Sequence, residues 1–123
     1  MATLLAYAGV RLRVLYAVLP DGSCPAKEFY DSLEPTEQAR LMALFQLIGE
    51  EARISNQEHF KRVEGTDYFE FKKHQIRILC RFQPNGRLLL VYGFRKKRDR
   101  IPPSELDKAD RIFAVWKKGE QQG

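Results

Sequence analysis

Residues 76–94 read as two alternating strands around one turn: Ile76-Arg77-Ile78-Leu79-Cys80-Arg81-Phe82, then Gln83-Pro84-Asn85-Gly86-Arg87, then Leu88 to Phe94. An Asn-Gly pair accepts positive φ at both central positions of a type I′ turn, so it commits the segment to an antiparallel hairpin. With Asn85-Gly86 as a two-residue turn, Phe82 pairs with Leu89, Arg81 with Leu90, Leu79 with Tyr92 and Arg77 with Phe94. Register then assigns faces. Ile76, Ile78, Cys80 and Phe82 pack together with Leu89 and Val91, while Arg77, Leu79 and Arg81 lie beside Leu90, Tyr92 and Phe94.

The same region carries the charge. From Lys72 to Arg100 there are ten basic residues against the single acid Asp99, so the segment is +9 while the whole chain is +5. The remainder is therefore −4, and the chain is bipolar. Basic side chains on rigid strands are the form expected for a phosphate-rich partner, because each neutralised phosphate releases condensed counterions. A solvated charge run is the usual alternative. Interleaving of these charges with apolar residues argues against it, and the mixed aromatic and cationic face suits a nucleotide whose base stacks while its phosphate takes the charge.

A length of 123 residues fits one domain, expected over 1–117, with 118–123 a disordered tail. Cys24 lies in a Gly/Ser/Pro loop and Cys80 on the packing side of a strand, with no CxxC or Cys/His spacing, so no metal site is expected. The apolar N-terminus is interrupted by Arg11 and Arg13, which excludes a membrane span there and points to a soluble, cytoplasmic protein. No GxGxxG, GxxxxGK[ST], HExxH or nucleophile elbow occurs, and Gly9, Gly49 and Gly65 read as isolated turn or helix-end glycines. No cofactor is expected.

Periodicity supplies the remaining elements. Val10 to Val18 alternates as a first strand ending at Leu19-Pro20-Asp21-Gly22. A helix opens at Pro25 and buries Phe29, Tyr30 and Leu33. Leu41, Leu44, Phe45 and Ile48 mark a longer amphipathic helix over about 36–53. Ser55 to Thr66 reads as a polar loop, and Tyr68 to Lys73 as a strand with Phe69 and Phe71 inward and Glu70 outward. A last helix begins after Pro102-Pro103, with Ser104 as N-cap and Leu106, Ala109, Phe113 and Trp116 as its apolar stripe. The expected order is β-α-α-β-β-β-α, an α+β fold.

The runs Leu19 to Leu33, Phe60-Lys-Arg-Val-Glu-Gly65, Tyr68-Phe-Glu-Phe-Lys72, Ile76-Arg-Ile-Leu79 and Gly93-Phe-Arg-Lys-Lys97, in this order, resemble the phage-derived, HigB-like branch of the RelE/ParE toxin superfamily. The resemblance implies a small RelE-like antiparallel sheet carrying two N-terminal helices and a C-terminal one. It implies a ribosome-dependent endoribonuclease that cuts mRNA without metal, through the ribose 2′-hydroxyl, silenced by a small DNA-binding antitoxin. Carried over by position, Arg77 would bind the scissile phosphate, because guanidinium offers a bidentate fork. Lys96 matches the second catalytic cation, with Arg95 and Lys97 beside it.

The strand that carries two lysines in well-studied relatives has only Lys72 here, and Pro102-Pro103 occupy the place of the C-terminal tyrosine or histidine. His74 is then the nearby group that titrates close to neutrality, and Tyr92 is the phenol on the arginine face. His59 reads as structural. Lys73, Arg81, Tyr92, Arg95, Lys97, Arg98 and Arg100 complete the expected RNA-binding surface. Two other classes stay open: a non-enzymatic inhibitor on the same fold, such as a gyrase poison or a phage protein fitted to a host target, and a basic nucleic-acid-binding module.

Overall fold

The computed structural model describes residues 2–96 and 100–122. Six strands, β1 (Thr3–Ala8), β2 (Arg13–Ala17), β3 (Phe60–Arg62), β4 (Phe69–Lys73), β5 (Ile76–Gln83) and β6 (Arg87–Arg95), form one sheet in the order β1-β2-β6-β5-β4-β3. Three helices, α1 (Pro25–Asp31), α2 (Pro35–Glu51) and α3 (Pro103–Gln122), complete the α+β fold. Every strand pairing is antiparallel except β2 with β6, which is parallel.

The helices begin where the prolines place them. Pro25 and Pro35 each sit in the first turn, where a missing N–H costs nothing, and α2 gains a capping box in which Glu34 and Glu37 each accept the other's backbone N–H. Leu41, Leu44, Phe45 and Ile48 are buried as their spacing requires. They meet Tyr16, Phe71, Ile76, Ile78 and Cys80 on one sheet face. On the other face α3 lays Ala109 and Trp116 against Ala17, Leu79, Leu89 and Val91. The sheet is therefore covered on both sides.

Several expectations need correcting. The first strand is shorter than Val10 to Val18, and an unforeseen β1 pairs with it, so β2 lies between β1 and β6. A second unforeseen strand, β3, lies in the segment read as loop. Gly9 and Gly49 do lie in a turn and in the last turn of a helix, as read, and they also meet: a Cβ on Gly9 would fall 2.2 Å from the Gly49 carbonyl, whose oxygen accepts the N–H groups of Arg11 and Leu12. That close approach locks the β1–β2 turn onto α2.

Asn85 and Gly86 do take positive φ, 68° and 67°. Gln83 nevertheless pairs with Arg87, leaving a loop of Pro84, Asn85 and Gly86. The register near the turn slips by one: Phe82 faces Leu88, Arg81 faces Leu89, and Leu89 and Leu90 exchange faces. A bulge at Leu79/Cys80 leaves Val91 unpaired and restores Leu79–Tyr92 and Arg77–Phe94. Phe82, expected in the core, is 41% exposed at the strand end.

Ser104 lies inside α3 rather than capping it, because the helix starts at Pro103. The helix also runs through 118–122, where a disordered tail was expected: Arg87 Nη1 donates to Glu120 Oε2 at 3.1 Å, and Gly119 packs on Pro20. No described helix is long and apolar enough to cross a membrane.

A candidate phosphate-binding groove

The cross-strand ladder sets the site. Lys61 lies opposite Glu70, Glu70 opposite Leu79, and Lys72 opposite Arg77. The ladder continues one residue beyond β3, since the Lys72 N–H donates to the His59 carbonyl. Alternation therefore puts His59, Lys61, Glu70, Lys72 and Arg77 on one face of three neighbouring strands. That is the α3 face.

At the centre Glu70 is only 2% exposed, where the sequence placed it outward. Its Oε1 lies 3.4 Å from Arg77 Nε and accepts no hydrogen bond of good geometry. A carboxylate held this deep costs free energy unless cations surround it. Arg77 is the cation in contact with it, Lys61 faces it across the β3–β4 pair, and Lys96 feels the charges of Glu70, Arg77, Lys72 and Lys61 together.

Arg77 is itself buried and not an outward-facing arginine. Its Nη1 donates to the His74 carbonyl at 2.5 Å and to the Ile76 carbonyl at 2.9 Å. Those two carbonyls and Glu70 fix the guanidinium plane. Lys96 continues from β6, its N–H bonded to the Gln75 carbonyl at 2.7 Å, and is 4% exposed. Burial pushes its ammonium below the usual lysine range; Arg77 adds to that shift and Glu70 opposes it. His59 adds an imidazole whose Nδ1 is buried without a hydrogen-bond partner.

Beside this cluster a groove of about 720 Å³ runs between β3 and the start of α3, with Lys61, Arg62, Glu70, Arg100, Ile101 and Leu106 among its walls. Cations at the rim and a buried carboxylate on the floor can hold a phosphodiester against a proton acceptor. Among the described residues no group of histidine, cysteine and carboxylate side chains has the arrangement of a metal site.

The other residues expected to bind or cleave RNA are dispersed. His74 occupies the β4–β5 turn at φ 54° and meets Arg40 of α2, Nε2 to Nη1 at 3.1 Å, on a different side from Glu70. Lys73 pairs with Ile76. Arg81 is taken by α3, its guanidinium 4.1 Å from the Phe113 ring and 3.5 Å from Asp67. Arg95 is held bidentately by Glu37, at 2.9 and 3.1 Å. Tyr92 stacks on Phe94 at 5.8 Å, and burial and Glu105 push its phenol above the usual range. The apolar and cationic floor expected around Arg81 and Tyr92 is thus the seat of α3. Arg100 is exposed and lines the groove; Lys97 and Arg98 lie outside the described residues.

Lys61, Arg62, His59 and Glu70 went unnoticed in the sequence as site residues. The alternation of Phe60 and Phe69/Phe71 with charged neighbours was the available signal, and it becomes legible only once 60–62 is read as a strand. Cys24 and Cys80 are both buried free thiols, and burial pushes Cys80 well above the usual range.

No curated protein matches the sequence of this chain. Residues 28–114, which run from α1 into α3 and include every member of the Glu70 cluster, match the family model described as phage-derived protein Gp49-like (DUF891). That span is well over half of the chain, which therefore belongs to the phage-derived Gp49-like family.

Proposed function

We propose that this chain is a ribosome-dependent mRNA endoribonuclease, the toxin of a type II toxin–antitoxin pair, which cleaves without metal. The observation that carries the reading is the buried Glu70 carboxylate, held by Arg77, faced by Lys61 and close to Lys96, beside an open groove whose walls bring Lys61, Arg62 and Arg100 together with Glu64 and Glu70. Membership of a phage-derived family and the sequence resemblance to the HigB-like toxins agree with it.

Such a cleavage needs a base for the 2′-hydroxyl, cations for the phosphorane and an acid for the departing 5′-oxygen. In this reading Glu70 takes the 2′-hydroxyl proton and the 2′-oxygen bonds to phosphorus. The bond from phosphorus to the 5′-oxygen breaks, and that oxygen takes a proton from Lys96, whose depressed pKa makes it the better donor. The products are a 2′,3′-cyclic phosphate and a 5′-hydroxyl. Lys61, Lys72 and Arg100 neutralise the phosphates, and Arg77 holds Glu70 in place. A cognate antitoxin would cover the same cations with acidic side chains. Pairing of a partner strand along the outer side of β2 is not open to it, because β1 of this chain occupies that side.

The burial of Arg77 favours a second reading, a non-enzymatic inhibitor, because the arginine that the resemblance assigns to the scissile phosphate is instead fixed by Glu70 and two backbone carbonyls. Mapping mRNA ends after expression in bacteria separates the two. New 5′-hydroxyl ends inside translated codons, reduced about 100-fold or more by Glu70→Gln, are expected of the enzyme. Growth arrest with intact messages, or ends unaffected by Glu70→Gln, would sink this assignment.

A further inference from the structure

On the α1/α2 side of β3 lies a second cleft, of about 540 Å³, that the cleavage reading does not use. Its floor is three rings drawn from neighbouring strands. Phe60 and Phe69 stack at 5.3 Å and 13°, and Phe82 stands edge-on to Phe69 at 5.0 Å and to Phe60 at 6.4 Å. Phe60 is buried, whereas Phe82 is among the most exposed large apolar side chains described. The rim carries Arg53 just beyond α2, with Lys61 and Arg62 of β3, and no carboxylate is found among the described lining residues. Arg62 is steadied by its Nε–H bond to the Thr66 carbonyl at 2.9 Å.

We infer that this cleft is a stacking site for a nucleobase of single-stranded RNA. An exposed ring set on a ladder of packed rings loses little entropy on binding, and any base presents a face to it. The rim decides the occupant. A purely apolar cleft would suit a protein side chain, but Arg53, Lys61 and Arg62 around the rings, with Asp67 meeting Arg62 at 3.8 Å from outside the lining as the nearby acid, leave a net positive rim that matches a base with its own phosphate attached. Lys61 and Arg62 also line the Glu70 groove. A strand passing over the β3 edge would thus keep its backbone on Lys61 and Arg62 while one phosphate enters the groove and a flanking base enters the cleft. The inference deepens the proposed ribonuclease reading and rests on it for the second half of that path, since the stacking site itself needs only single-stranded RNA.

The test is the affinity of a short, 2′-O-methylated oligoribonucleotide, which the enzyme cannot cleave, compared with a counterpart bearing one abasic residue. Phe82→Ala should weaken binding of the intact probe about 5- to 100-fold, and Phe82→Tyr should restore it. The abasic probe, scanned through its positions, should bind wild type about as weakly at one of them and be indifferent to Phe82→Ala. A thermal melt of Phe82→Ala checks the fold, and the Phe82→Tyr rescue separates ring loss from misfolding. Unchanged affinity in Phe82→Ala, or equal binding of every abasic probe, would overturn the site and leave the cleft to a protein side chain; no measurable binding of the intact probe would overturn it as well. Mapped mRNA ends fail independently: stacking without cleavage would refute the ribonuclease reading alone, and cleavage without stacking would refute this inference alone.

Discussion

The two faces of the sheet are built on different principles. Under α1 and α2 the contacts are apolar, with Phe45, Phe71, Tyr16 and Tyr30 meeting at ring distances of 5.1 to 6.5 Å around aliphatic neighbours. Under α3 an apolar patch around Trp116 shares the face with Glu70, Arg77, the Tyr68–Asp110 hydrogen bond at 2.8 Å and Arg81 over Phe113. Burying apolar area contributes roughly 25 cal/mol per Å² whatever the partner, whereas a buried ion pair at best offsets its own desolvation. One face supplies stability. The other spends some of it to hold charges in fixed geometry, which is what a site requires and a core does not.

The largest test of that contrast is Phe71→Ala. Phe71 is fully buried between Phe45 and Phe60, so truncation should cost about 3 to 5 kcal/mol, read as a lowered denaturation midpoint. Tolerance of the change would mean that the α1/α2 face is not the stabilising one.

Somewhat smaller is Arg77→Met, at about 3 kcal/mol, because it strands Glu70 in the interior. The double change Glu70→Leu/Arg77→Met should recover most of that loss, since replacing a buried pair by apolar residues is often neutral. Cleavage should stay lost in the double variant. If the double variant is no more stable than Arg77→Met, the pair is a structural strut and the two faces do not differ as argued.

This pair also marks where sequence reading stops. Arg77 and Glu70 alternate with Ile76, Ile78, Phe69 and Phe71, and alternation correctly separates the faces; it says nothing about whether a helix from elsewhere will lie on the polar one. The helix start at Pro25 was legible because proline acts locally. The hairpin was legible from Asn85-Gly86, but turn chemistry identifies a loop and not its length, so Leu89 and Leu90 were exchanged. Strand β1 reads Thr-Leu-Leu-Ala-Tyr-Ala, apolar at successive positions, so no polar and apolar alternation reveals it. Strand β3 is three residues long, too short for any period, and with it Lys61 and Arg62 were lost as site residues. Of the positions matched through resemblance, Arg77 and Lys96 lie close to Glu70 and Lys72 stands opposite Arg77, while Arg95 is engaged by Glu37; His74 and Arg81, named from the residues themselves, are engaged by Arg40 and Phe113.

The smallest effect should come from the surface, where neither principle applies. Arg95 and Glu37 tie the end of β6 to the first turn of α2. Hydrogen bonds from Arg95, and then from the Glu34 N–H, hold the Glu37 carboxyl below the usual carboxylate range. A lowered folded pKa means that the unfolded chain binds the proton more readily. The contribution is therefore complete above the unfolded pKa of about 4.3 and disappears as pH falls through the folded value. Glu37→Gln keeps a side chain able to accept the Glu34 N–H, so the charge on Arg95 is the main thing removed. The melting temperature of Glu37→Gln should sit slightly below wild type at neutral pH, the gap should shrink with added salt, and it should close in acid below the folded pKa. A gap that persists in acid would mean that Glu37 acts through packing or capping, and that even this exposed link belongs with the α1/α2 face.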